Sequence, residues 1–507
     1  MATTNTTKAD NEPNDCLDIA VIGGGIGGAY TGWRLRDRGL SISVFEYSDR
    51  VGGRLFTAEL PEAPGTYLEF GGMRFRTDHS ILINTAIEIG LKIVPFQKSD
   101  GNQKLWYLRG THLGKDDLRG SKTPFNLKAN ERKSPEALIR DIFTNNTNIT
   151  STKFPEEMYS LTTNDGVPVY KMSQLNFYSH YATMEAYGYL QACMAMGLVN
   201  QQQGALRGVK MANSPSSALH AIEGGMGRLP TTLMDIFRQR SKSHHLHLNH
   251  QLIRIEKSQT GGYNLRFRRT QTVDGVTTPL TTDDNEVTIC ARKVILAVPR
   301  NCLVHVDFPT FRNNPAIMNS INSVFDDPAG KIFLAYPYKW WKTGNPDTTN
   351  TDSDLPCRHT RDWFTGTNNV SIILASYHNG ETTRYWRELS QFGTPIPGSL
   401  PGANAVTDVV KNRLETYLSL IYNVNQSDIP EAVGGGMMLW DRYPFEAGWH
   451  CFKPGFKEDE VAEIMMKPSP SDDVYVVSNS WAEGMLGVWS EGTLHAVDRV
   501  LSNYFSK

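Results

Sequence analysis

The sequence predicts an α/β protein, on three observations near the start of the chain. Leu17 and the run Ile19 to Ile22 form a short apolar stretch of the kind buried in a parallel sheet. It runs directly into Gly23-x-Gly25-x-x-Gly28, and the segment from Ala29 to Arg38 then reads as a helix that carries Trp33 and Leu35 and stops at Gly39. A second strand, Ser41 to Phe45, delivers Glu46 at its carboxyl end. Strand, glycine turn, helix, strand and acid in that order make a Rossmann-like dinucleotide-binding unit. The first glycine permits the tight turn, the second lets backbone approach a pyrophosphate, and the third lets helix and strand pack closely. The helix N-terminus stabilises the phosphate charge and Glu46 accepts the ribose hydroxyls. A glycine-rich turn between two core elements is the competing reading, since 43 glycines in 507 residues produce such spacings by chance. It leaves Glu46 without a purpose.

A chain of 507 residues is too long for one core and predicts two or three domains. Apolar content of 39%, charged content of 21% and a net charge of -2 are ordinary for a globular protein, with no electrostatic footprint for nucleic acid or an anionic membrane. The opening MATTNTTKADNEPND is polar and lacks the basic start and apolar stretch of a secretory signal, so it reads as a floppy tail. No run of about 18 apolar residues is present to span a bilayer. Cytoplasmic localisation is the resulting expectation. The six cysteines, Cys16, Cys193, Cys290, Cys302, Cys357 and Cys451, have no metal spacing and predict free thiols in a reducing compartment. Without a signal peptide, the sequons at Asn5, Asn145, Asn148, Asn369 and Asn425 read as chance matches. A homodimer is compatible with the sequence, which carries no signal for or against it.

After Glu46 come Arg50-Val-Gly-Gly-Arg54 and Glu69-Phe-Gly-Gly-Met-Arg-Phe75. Paired glycines beside arginines suggest backbone passing close to a bulky ligand, with guanidinium groups for its anionic parts. Two ordinary turns with surface arginines are the alternative. With these segments the sequence resembles the flavin amine oxidases, and within them the L-amino-acid oxidases. That family orders a dinucleotide fingerprint, an acid after the second strand, then RxGGR and GGMR segments lining the flavin.

The resemblance implies an FAD-binding domain assembled from residues 17–76, 217–300 and 455–507. A mixed-sheet substrate domain would come from 77–110 and 301–454, and a helical insertion forming one wall of a substrate funnel from 111–216. Leu175, Tyr178, Met184, Tyr187, Leu190 and Met194, spaced helically within Lys171 to Gly197, read mainly as core of that insertion. Glu223 to Pro230 returns the chain to the FAD domain. Strand-like Leu252 to Glu256, a hairpin near Gly261-Gly262 and a strand from Lys293 to Val298 follow. His244, His245, His247 and His250 lie among basic and polar residues with no acid cluster, so a solvated strand end is preferred to a metal site.

Residue roles follow from the same resemblance. Gly23, Gly25, Gly28, Glu46, Arg54, Gly71, Gly72, Met73, Leu252, Trp449 and Glu491 are the expected FAD contacts, with Leu252 near adenine and Glu491 near the ribityl chain. Lys331 would hold a water beside flavin N5 and assist proton transfer during reoxidation, a strand-surface lysine being the bland reading. Trp341 would pack near the ring. Trp449 stands where some relatives carry a covalently attached cysteine, so noncovalent FAD is expected, with Cys451 two residues away. The last helix would aim its N-terminal amides at the flavin. Arg74 would anchor a substrate carboxylate, Trp489 would confine the amine, and the Val488 carbonyl would accept from it. His220 is the candidate for the side-chain pocket, against a surface helix histidine.

Two departures stand out. Asn479-Ser480-Trp481 replaces a usual Gly-Glu, and the stretch Cys357 to Phe364 lacks the tyrosine expected as second carboxylate ligand. The implied activity is oxidation of L-amino acids by FAD and O2 to 2-oxo acids, ammonia and hydrogen peroxide. Amine or polyamine oxidation, an amide-forming monooxygenase and a flavin-binding interaction module without turnover are the alternatives.

Overall fold

Leu17–Ile22 is buried along Ile19 to Ile22, and the alternation of a strand sends Ile19 and Val21 to one face and Ala20 and Ile22 to the other. In the computed structural model, which describes residues 16–96, 104–149, 156–194, 202–213, 217–282, 285–343 and 348–506, this strand is central to an eight-stranded sheet. The order is His244–His247, Ile42–Phe45, Leu17–Ile22, Glu286–Leu296, Tyr263–Val273 and His250–Lys257. Val276–Pro279 joins Tyr263–Val273, and Val474–Val476 joins Glu286–Leu296. The predicted N-terminal tail and Asn5 lie outside the described residues.

Glu286–Leu296 changes partner along its length. Its first half pairs antiparallel with Tyr263–Val273, and its second half runs parallel to Leu17–Ile22 and Val474–Val476. Helices Ile26–Leu35, Arg228–Arg240 and Ser490–Tyr504 cover one face of the parallel part through Trp33, Leu233, Phe237 and Leu494. The first helix begins inside the glycine turn and ends at Leu35, earlier at both ends than predicted.

A seven-stranded sheet carries the second layer, in the order Gly434–Leu439, Ala329–Tyr336, Ser371–Asn379, His359–Thr365, Asn350–Ser353, Lys104–Leu108 and Thr111–Leu113. Ala329–Tyr336 is buried at every position, as a strand flanked on both edges and both faces must be. Between Lys104 and Leu206 the chain builds a separate aromatic core around Phe143, Phe177, Tyr178 and Tyr187. The helical spacing predicted across Lys171 to Gly197 resolves into Gln174–Tyr181 and Met184–Cys193. Thr183 interrupts it by capping the second helix, its hydroxyl accepting from the Ala186 amide. Among the described residues no helix is long and apolar enough to cross a membrane.

The free-thiol reading is corrected by a Cys16–Cys290 disulfide. The pairing of Leu17 with Ala291 sets the preceding residues opposite each other at a Cα separation of 4.7 Å, within bridging range. It also removes the argument that placed the chain in a reducing compartment. The bridge closes a loop of 274 residues, so serine at either position is expected to cost about 2–4 kcal/mol of stability. A lower melting temperature under nonreducing conditions, insensitive to added reductant, is the readout. An unchanged one would deny the crosslink a stabilising role.

Candidate active site

Where the two sheets meet lies a cavity of about 340 Å³. The glycine turn forms one end. Gly23 has φ +104°, a conformation that L side chains rarely adopt, and a Cβ on Gly28 would lie 1.8 Å from the Gly23 carbonyl oxygen. A Cβ on Gly25 would meet nothing closer than 3.9 Å, so this position opens onto the cavity. Glu46 lines the same end, its Oε2 accepting from the Gly24 amide at 2.6 Å and its Oε1 from the Ser48 amide at 2.9 Å. Oε1 also accepts from the Ser48 hydroxyl at 2.8 Å, so Oε2 keeps the further lone pair for a ligand hydroxyl. Gln251, Leu252, Val298 and Pro299 close this region.

The turn's free amides, Glu46 and the open face at Gly25 fit a dinucleotide. Gly25→Val tests the fit. The backbone there is extended and roomy, so the variant is expected to fold but hold flavin at least about tenfold more weakly, because the side chain would enter the pyrophosphate's space. A variant that purifies as yellow as the parent would contradict this placement.

Arg54, Gly71, Gly72 and Met73 line the middle of the cavity. Arg54 donates to the Gly448 carbonyl at 3.0 Å and to Asn479 Oδ1 at 2.8 Å. Asn479 in turn donates to the Gly487 carbonyl at 3.0 Å, so the unusual Asn479-Ser480-Trp481 stretch ties Arg54 to the loop carrying Val488 and Trp489. Trp449 also lines the cavity, its indole donating to Asp327 Oδ2 at 2.6 Å.

Lys331, 2% exposed, is no surface lysine. Its Nζ donates to the carbonyls of Glu69 at 2.9 Å and Gly71 at 2.5 Å. Burial pushes its pKa down to about 7, opposed by Glu69 and assisted by the charge of Arg74. Burial also pushes the Glu69 carboxyl up to about 7, against the Met226 amide, Lys331 and Thr57.

Arg74 lies beside them, with its guanidinium 5.4 Å from the Phe96 ring centre and no hydrogen bond or ion pair to a described residue. Arg361 stacks on the same ring at 4.8 Å, and burial with the nearby Arg74 charge pulls its pKa down to about 10. Three cations, Arg74, Arg361 and Lys331, thus lie near one another, within the fields of Asp352, Asp362 and Glu69 respectively. Arg74, which no described acid pairs directly, is the one suited to a carboxylate.

No tyrosine lies between Cys357 and Phe364, but Tyr377 lines the cavity nearby. Its strand pairs Tyr377 directly with Lys331, the ring lies 4.9 Å from Lys331 Nζ, and it lines the cavity within the field of Arg74. The apolar run from Ser371 to Ala375 marks a buried strand in the sequence, but its pairing with Lys331 appears only in the fold. Trp489 and Val488 line the opposite side, Trp489 packing edge-on to His79 at 5.0 Å.

Three expected contacts lie elsewhere. The Glu491 carboxylate accepts from the amides of Ile81 and Leu82 at 2.9 and 2.8 Å, capping helix Ser80–Glu88 rather than lining the cavity. His220 sits on strand Leu219–Ile222, not a helix, and packs at 6.2 Å from Phe75, behind the lining. Trp341 is fully buried among Tyr336 and Trp340 in the core of the seven-stranded sheet. The four histidines from His244 to His250 also diverge. His244 stacks on Phe237, His247 stacks on Phe45, and His250 lines the cavity.

Residues 26–499 match the family of flavin-containing amine oxidoreductases. The chain belongs to that family. It is 32% identical to aplysianin-A of Aplysia kurodai over 98% of this chain and 91% of that protein, and 31% identical to achacin of Lissachatina fulica over 96% and 93%. An L-amino-acid oxidase of Gloydius blomhoffii is 24% identical over 76% of this chain and 71% of that protein. A redesigned putrescine oxidase superimposes with a TM-score of 0.69 at 15% identity, covering 97% of this chain and 99% of that one. That likeness concerns the fold. As a member of that family, the protein is a flavin-containing oxidoreductase.

Proposed function

We propose that this protein oxidises L-amino acids with noncovalently bound FAD, giving 2-oxo acids, ammonia and hydrogen peroxide. The observation that carries the reading is Arg74, an unpaired guanidinium beside Tyr377 and Lys331 in the cavity that begins at the dinucleotide turn. An amine lacking a carboxylate would leave that cation buried without a partner, a costly arrangement. The Gloydius relative named as an L-amino-acid oxidase agrees with it.

Gly23, Gly25, Gly28 and Glu46 would hold the dinucleotide. Arg54, Gly71, Gly72, Met73 and Trp449 would flank the remainder. Bound FAD supplies the two-electron oxidant for the substrate Cα–H and returns to its oxidised form by passing electrons to O2. Arg74 and Tyr377 would hold the carboxylate, while Trp489 and the Val488 carbonyl confine the neutral amine. Together they orient the Cα hydrogen, which is most of what this protein must contribute. Lys331 would accept or return a proton at its Nζ. Noncovalent attachment is supported by Cys451, which is 5% exposed, has its thiol pushed up to about 12 by burial, and lines a separate small pocket.

Anaerobic titration of the yellow protein with the twenty L-amino acids and simple amines tests the proposal. Bleaching by L-amino acids with release of a 2-oxo acid is expected. Bleaching only by amines without a carboxylate would replace this reading with amine oxidation, and an amide product would replace it with monooxygenation.

A further inference from the structure

A second arginine in the same cavity has no partner. Arg207, on helix Leu206–Asn213 of the helical layer, lines the main cavity and also the adjoining pocket of about 30 Å³ formed with Lys210, Cys451, Lys453 and Glu458. It makes no side-chain hydrogen bond, ion pair or ring contact with a described residue. The nearby acid is already engaged: Glu458 pairs with Lys210 and accepts from the Gly484 amide at 2.7 Å.

Four cations line the main cavity, Arg54, Arg74, Arg207 and Lys331, against one described acid, Glu46. Arg54 and Lys331 are spent on carbonyls and Asn479, and Glu46 on the turn amides and Ser48. Two guanidinium groups remain for ligand. Both line the cavity that Trp449 also lines. Tyr377, beside Arg74, packs edge-on to Trp449 at 6.3 Å, and Arg207 shares the adjoining small pocket with Cys451, two residues further along the same strand. A ligand anchored on Arg74 therefore shares its cavity with a second unengaged guanidinium, Arg207.

We propose that Arg207 recognises a second carboxylate, so that the preferred substrates are dicarboxylic L-amino acids, glutamate or aspartate. The inference rests on the L-amino-acid reading above. A forked guanidinium suits a side-chain carboxylate bidentately. A cationic side chain would find no described acid in the lining beyond the committed Glu46.

The test uses the FAD holoenzyme in two assays. In the first, anaerobic flavin reduction by L-glutamate, L-aspartate, L-leucine and L-lysine is compared in the parent, Arg207→Ala, Arg207→Lys and Arg207→Glu. The parent should favour the better diacid over leucine by at least about tenfold, Arg207→Ala should lower that ratio about 10- to 100-fold, and Arg207→Lys should fall between them. Arg207→Glu should favour lysine. In the second assay, glutarate and butyrate binding is followed by perturbation of the oxidised flavin spectrum, with glutarate expected to bind tighter only while Arg207 is present.

An unchanged diacid-to-leucine ratio in Arg207→Ala, or a parent preference for lysine, would overturn the proposal. So would glutarate binding no tighter than butyrate. Tight, Arg207-dependent glutarate binding without bleaching by any L-amino acid would uphold the dicarboxylate subsite and sink the oxidase reading instead. Melting temperatures of the ligand-free variants identify any that fail to fold, and Arg207→Lys then carries the ratio test.

Discussion

Replacing Arg74 by methionine is expected to lower kcat/KM for the best L-amino acid by about 100- to 1000-fold, mostly through KM. Truncating one partner of a buried, hydrogen-bonded charge pair costs about 2–5 kcal/mol, much of it from the charge left unpaired. Here that charge is the substrate carboxylate, with Tyr377 left to hold it. Methionine is chosen to keep the volume beside Phe96. A second readout separates this role from general damage. Arg74 depresses the Lys331 pKa, so its removal should move any step due to Lys331 upward from about 7. An unchanged KM for amino acids would remove Arg74 from the carboxylate site and promote amine oxidation.

Lys331→Met is expected to slow reoxidation of the reduced enzyme by about 100-fold or more, with a smaller effect on reduction by substrate. The sign of the pH dependence follows from the shift. Burial lowers the Lys331 pKa to about 7, so the amine is neutral and able to accept a proton above that value. The parent's oxidative rate should therefore rise through pH 7 and level off, and the variant's should be flat. Stopped-flow mixing of reduced enzyme with oxygen between pH 6 and 9 measures it. Equal rates and parallel profiles would leave Lys331 a structural tie between Glu69 and Gly71.

Much of the cofactor end was legible in the sequence because its constraints are local. Gly23, Gly28 and Glu46 stand within one βαβ unit, and turn geometry, helix start and strand end are all set by near neighbours. The substrate end was harder. Tyr377 reaches the cavity through strand pairing with Lys331, Arg207 through the packing of a helical layer, and Cys16 meets Cys290 only after the central sheet forms. Each depends on contacts distant in sequence, where periodicity carries no address. Glu491 shows the converse error. An acid at a helix start faces whichever amides lie nearest, and these belong to Ile81 and Leu82 of another helix. His220 was misread for a related reason, since the short strand that holds it pairs with Phe75 and Pro95.

Cavity walls drawn from segments far apart in the sequence carry a consequence for synthesis. Ile22 to Leu55 and Val477 to Thr493 line one space, and Val474–Val476 docks on a strand whose other partner is Leu17–Ile22. A nascent chain that has emerged only as far as Met466 owns its glycine turn, Lys331 and Arg74, yet has neither the Asn479 brace nor the Trp489 wall. Ribosome emergence thus acts as a clock. The cavity can close only once the chain has been made as far as Thr493.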